Sequence, residues 1–187
     1  MYRYGRAAKD LPLLEFLAYY QVMEFFFPIF TREAVIRRLR LALRDPQIDT
    51  NNDSDLARIV NLIQPSGRIG GNERDQLRGT VMACVEPSWI IEYLEENEER
   101  KNHFCKRQPL PSSPPVINLR DGQQDLRIQL SDRIYYFRCR IVHTKQDSGD
   151  AGIDLLLPSS KEAQSLWRDI ELLRILAQKA LIAGAGR

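Results

Sequence analysis

The chain of 187 residues is 43% hydrophobic and 28% charged, with 10 Gly and 10 Pro, which excludes a disordered or fibrous protein over most of its length and fits a single globular domain, 1–187. Its 27 Lys and Arg against 25 Asp and Glu leave a formal charge of +2, too small by itself to imply a nucleic-acid or membrane partner. Arginine supplies 21 of the 27 basic residues, however, and its rigid planar fork suits phosphate and carboxylate.

In chain order, Asp10 followed by Pro12 predicts a helix start, and apolar and aromatic residues then continue to Phe27, where Pro28 is expected to stop or kink the helix. This most apolar stretch carries Glu15, Gln21, Glu24 and two prolines, so no transmembrane span is expected. Met1 opens no signal-peptide pattern either. Thr31 with Glu33 predicts a second helix to about Arg44, whose Val35, Ile36, Leu39 and Leu43 share one face. Asn51 to Ser54 cap a third helix through Ile63, 65–71 is a glycine-containing turn, Asn72 to Val85 make a fourth helix, and Pro87 opens a fifth over 88–104. The segment 107–122, with Pro109, Pro111, Pro114 and Pro115, is an irregular crossing. A long helix follows from Gln123 to about Lys145, then a loop over 147–158, then a last helix over 159–181. Ser159 and Glu162 read as the capping box of that helix, and Leu166, Ile170, Leu173 and Leu176 as its buried stripe. Almost nothing alternates with a strand period, so the fold class is all-α, a bundle of about seven helices.

Cys84, Cys105 and Cys139 are odd in number and scattered, which argues against a disulfide framework and for a reducing compartment, with the cytoplasm as the expected location. His103 and His143 are the only histidines. No Gly-x-Ser-x-Gly turn surrounds a serine, and neither histidine sits in the paired spacing of a zinc site, so triad hydrolases, a bound metal and other cofactors are not expected.

His143 lies near the end of the longest helix, in Arg138-Cys-Arg-Ile-Val-His143. With Ile134 at zero and about 100° per residue, Leu126, Leu130, Phe137 and Ile141 fall at roughly 280° to 340°, the core face. Tyr135, Cys139 and Val142 form a second apolar strip at about 80° to 140°, with Arg138 at roughly 40° and His143 at roughly 180° on its flanks. A two-fold dimer would bury the strip and bring Arg138 and His143 of both copies together. Such a pair suits metal-independent RNA cleavage, in which the histidine takes the ribose 2′-hydroxyl proton and the arginine holds the scissile phosphate. The products are a 2′,3′-cyclic phosphate and a 5′-hydroxyl. The structural alternative is a helix-end histidine beside a carbonyl and an arginine in a surface ion pair.

The Arg-x(4–6)-His spacing in the last long helix but one resembles the HEPN superfamily of helical nucleases and nucleotide-binding domains, in particular its Apea-like branch. Leu17-Ala-Tyr-Tyr-Gln-Val-Met-Glu24-Phe is similar to the family's opening helix, Arg133 to Lys145 to its motif helix, and Leu166-Trp-Arg-Asp-Ile-Glu-Leu-Leu173 to its closing helix. Two positions depart from the family: Cys139 stands where Asn is frequent, and Lys145 where some relatives carry the Tyr modified by a partner nucleotidyltransferase. The resemblance implies a homodimeric endoribonuclease of defence or toxin type, with Arg138 and His143 catalytic and RNA as partner. It also implies a sensor or other N-terminal domain in a longer protein, from which the abrupt ends of this chain are compatible with excision. Arg140 and Lys145 follow the motif closely enough to bind neighbouring phosphates. The alternative is a non-catalytic HEPN-like module for RNA or nucleotide binding or for dimerisation. Glu24 either supports an arginine of the site or sits at a helix edge. The Arg37, Arg40 and Arg44 stripe is either an RNA track or a solvated face, and the glutamates of 92–99 a solvated face.

Overall fold

The computed structural model describes residues 2–8, 10–63, 71–107, 113–142, 155–158 and 160–185. Among these the chain is all-α, with nine helices: α1 (Tyr2–Ala7), α2 (Pro12–Ala42), α3 (Asp53–Ile63), α4 (Glu73–Cys84), α5 (Pro87–Glu95), α6 (Glu98–Cys105), α7 (Leu126–Val142), α8 (Lys161–Ser165) and α9 (Trp167–Ala185). The three cysteines are free.

The long helix α2 packs along α9 and α4, and α4 also packs on α7. Of the two outcomes expected at Pro28 the stop does not occur, and the helix expected to start at Thr31 is the continuation of α2. Pro28 faces solvent, where water can reach the carbonyl that loses its amide partner, and Phe26, Phe27 and Phe30 around it are buried in the core. Three buried rings at about 1.5–3 kcal/mol each outweigh a proline cost of about 3 kcal/mol. By length and composition α2 is apolar enough to cross a membrane, and half of its most apolar window is buried inside the fold. Its apolarity thus serves the core, through Phe16, Tyr19, Tyr20 and Met23 as well as the three phenylalanines.

At 31 residues α2 is about 46 Å long, whereas α7 with 17 and α9 with 19 residues span roughly 26 and 28 Å. Its C-terminal part therefore outruns the bundle. Ile36 and Leu43, expected on a buried face, are exposed, and α3 covers this end only in part.

Two further helices are divided where the sequence reading joined them. Asn97 takes an extended conformation, and its side chain accepts the Arg100 backbone N–H, so it ends α5 and caps α6. Ser160 caps α8 through the Ala163 N–H, and Leu166 forms the junction to α9. Ser159, the expected cap, lies outside the described residues. The glutamates of α5 and α6 face solvent and Leu166, Ile170, Leu173 and Leu176 are buried, as predicted.

Candidate functional site

Arg138 projects from α7 to the meeting point of α2 and α4. Its Nε lies 2.7 Å from Glu73 Oε1. The hydroxyl of Tyr20 donates to that same Oε1 at 2.8 Å, and the guanidinium carbon lies 6.0 Å from the Tyr20 ring centre. Each partner is placed by its own helix. Glu73 is the first residue of α4, whose start is fixed by reciprocal bonds between Asn72 and Asp75, and Tyr20 is buried on α2. Glu24 lies one turn after Tyr20 on the same side of α2. Burial first, and the Glu73 charge second, push its carboxyl above the usual range, while Arg138 opposes them. Arg138 thus pairs with Glu73 and also acts electrostatically on the Glu24 carboxyl.

The second strip of α7 is partly covered by the rest of the chain. Tyr135 and Cys139 are half-buried and Val142 is 43% exposed. Burial and a hydrogen bond to Cys139 push the Tyr135 phenol up to about 12. Burial likewise raises the Cys139 thiol, so both groups are neutral near pH 7.

Arg140 does not join Arg138. Two residues on, it points about 200° away, is 3% exposed, and grips Glu162 with both terminal nitrogens while also donating to the Tyr136 hydroxyl at 3.2 Å. Glu162 opens the first turn of α8, and the Arg140 carbonyl accepts the Leu156 N–H at 3.0 Å. Arg140 therefore fastens the 155–158 segment and α8 to α7 in the interior, with both terminal nitrogens engaged by Glu162. His143 and Lys145 lie outside the described residues.

Sequence reasoning missed a buried polar triad. Arg133, 1% exposed, donates to Asp169 through Nε at 2.6 Å and Nη2 at 3.2 Å, and through Nη1 to the Pro115 carbonyl at 2.9 Å. His103 Nε2 is 2.7 Å from Asp169 Oδ2 and 3.1 Å from Arg133 Nη2. Arginine can only donate and the carboxylate can only accept, so the shorter contact assigns the Nε2 proton to the bond with Asp169. Burial opposes the charge on Asp169, but Arg133 and the bonds from His103 and Arg133 outweigh it and hold the carboxyl below its usual range. A signal was present. Asp169 lies three residues after Leu166 and four before Leu173, on the predicted buried stripe, and a carboxylate there demands a cationic partner.

Among the described residues no three His, Cys, Asp or Glu side chains gather as a metal site would need. No protein-family model, curated protein or solved structure matches the chain.

Proposed function

We propose that this chain is a metal-independent endoribonuclease domain of HEPN type that acts as a homodimer, with Arg138 and His143 forming a composite site across the two-fold axis. The observation that supports this reading is the setting of Arg138. It is half-buried, oriented by Glu73, and borders a strip of α7 that its own subunit leaves partly open. An arginine held in this way can neutralise charge growing on a phosphate without first being ordered. His143 would take the 2′-hydroxyl proton, the 2′-oxygen would attack phosphorus, and the bond to the 5′-oxygen would break as that oxygen gains a proton from solvent. In this reading the protein works in the cytoplasm on RNA, and needs no membrane.

A non-catalytic RNA- or nucleotide-binding or dimerisation module is the second reading. It is favoured by the ion pair with Glu73, which already occupies the Nε edge of Arg138, and by the Glu24 carboxyl beside that pair. Incubation with a mixed RNA pool in EDTA separates the two. The nuclease reading expects cleavage that survives chelation, leaves 2′,3′-cyclic phosphate ends, and disappears in Arg138→Ala and in His143→Ala. Loss of activity in EDTA with recovery in Mg²⁺ or Mn²⁺ would overturn the mechanism, and an RNA pool left intact at every protein concentration would favour the binding module.

A further inference from the structure

We infer that Tyr20 and Glu73 are positioning residues for Arg138, forming a relay from the buried face of α2 through the first turn of α4 to the guanidinium on α7. The inference rests on the ribonuclease reading for its effect on rate, and on geometry for the relay itself. A guanidinium is planar, so a carboxylate at its Nε edge fixes the direction of the opposite edge. Glu73 can do this only if it is itself held. Its side chain is 28% exposed, and a half-buried glutamate on a first helical turn still has more than one rotamer available. The Tyr20 hydroxyl removes that freedom by donating to the oxygen atom that also meets Arg138 Nε.

The chemistry of Tyr20 fits a dedicated donor. Its ring is fully packed in the core, stacked near Phe16 and edge-on to Phe27, work that phenylalanine would do equally well. Among the described residues Glu73 is the hydrogen-bond partner of the hydroxyl. Burial first, then that bond, raise the phenol above its ordinary range, so it remains a donor throughout the working pH. Among the described residues, a buried phenol that holds a carboxylate, which in turn meets an arginine, is an arrangement for orienting the arginine.

The test compares Tyr20→Phe, Glu73→Gln and the double variant in the full chain, by RNA cleavage kinetics and by NMR of the Arg138 Nε–H, identified by its absence in Arg138→Ala. Tyr20→Phe is expected to lower kcat about tenfold, as loss of one bond to a charged group predicts, with KM changed less than about twofold. Glu73→Gln should lower kcat at least as much. The double variant should be no worse than Glu73→Gln alone, because the two act through one chain of contacts. Full kcat in both single variants, or multiplicative losses in the double, would overturn the relay. If the unmodified chain cleaves no RNA, the ribonuclease reading fails by itself, and the resonance then decides the relay. The relay requires a solvent-protected Arg138 Nε–H whose protection is lost in Tyr20→Phe, and protection unaffected by that change overturns it.

Discussion

Arg133 and Asp169 face each other in a bidentate pair at the centre of the fold, Nε to Oδ1 at 2.6 Å and Nη2 to Oδ2 at 3.2 Å, with both side chains almost wholly removed from water. The pair links α7 to α9, and through Pro115 and His103 it also holds the irregular crossing and α6. The Arg133 guanidinium lies 4.9 Å from the Phe104 ring centre and 5.6 Å from that of Phe137, so its faces as well as its edges are used.

Removing one charge strands the other. Asp169→Asn is expected to lower the unfolding free energy by about 3–5 kcal/mol, measured by urea denaturation. The pH dependence follows from the lowered Asp169 pKa. A carboxyl depressed in the folded state contributes stability that is full above its unfolded value of about 3.9 and is lost as pH falls through the folded value. Acid unfolding of the unmodified chain should therefore be steep below about pH 4, and shallower in Asp169→Asn. A stability change under about 1 kcal/mol in that variant would show that the pair is not a fixed part of the core.

Two glycines make opposite predictions. A Cβ on Gly79, within α4, would meet nothing within 4 Å and would enter a cavity of about 370 Å³ lined in part by Val35, Met82 and Ile128. Gly79→Ala should stabilise the protein by about 0.5–1 kcal/mol through helix propensity. A Cβ on Gly184 would come within 2.1 Å of the Phe26 ring, where α9 and α2 pack closely, so Gly184→Ala should destabilise by about 1–3 kcal/mol. Thermal unfolding of the two variants should move in opposite directions, and a shared direction would contradict this packing.

Arg140 and Arg138, two residues apart, should differ in kind. Arg140→Ala leaves the Glu162 carboxylate without its buried partner, with an expected loss of about 3 kcal/mol or more. Arg138→Ala removes a pair nearer the surface and should cost about 1 kcal/mol or less. Calorimetry that finds Arg140→Ala as stable as the unmodified chain, together with weaker RNA binding, would return Arg140 to the phosphate-binding role first expected from its place after the motif.

The fold class, most helix boundaries and the core stripes of α7 and α9 were legible because apolar spacing and caps are local signals. Pro28 was misleading because its penalty is local, whereas the burial of Phe26, Phe27 and Phe30 that overrides it is tertiary. Asn97 looked like an interior helix residue until its cap to Arg100 was visible. The candidate site was half legible. Angular position separated Arg138 from the core face, but the same arithmetic could not show that Glu73 and Tyr20, 65 and 118 residues earlier in the chain, would be brought to it. The pairing of Arg140 with Glu162 was hidden for the same reason, since that partner lies across a loop.

The composite site is tested most directly by complementation. Arg138→Ala and His143→Ala should each be inactive as homodimers. When the two are co-expressed, half of the dimers carry one variant of each kind, and each such dimer keeps one of its two sites intact, so cleavage should return to about a quarter of the unmodified rate. Mixed dimers as inactive as either parent, although each parent alone folds and dimerises, would contradict a site shared between subunits.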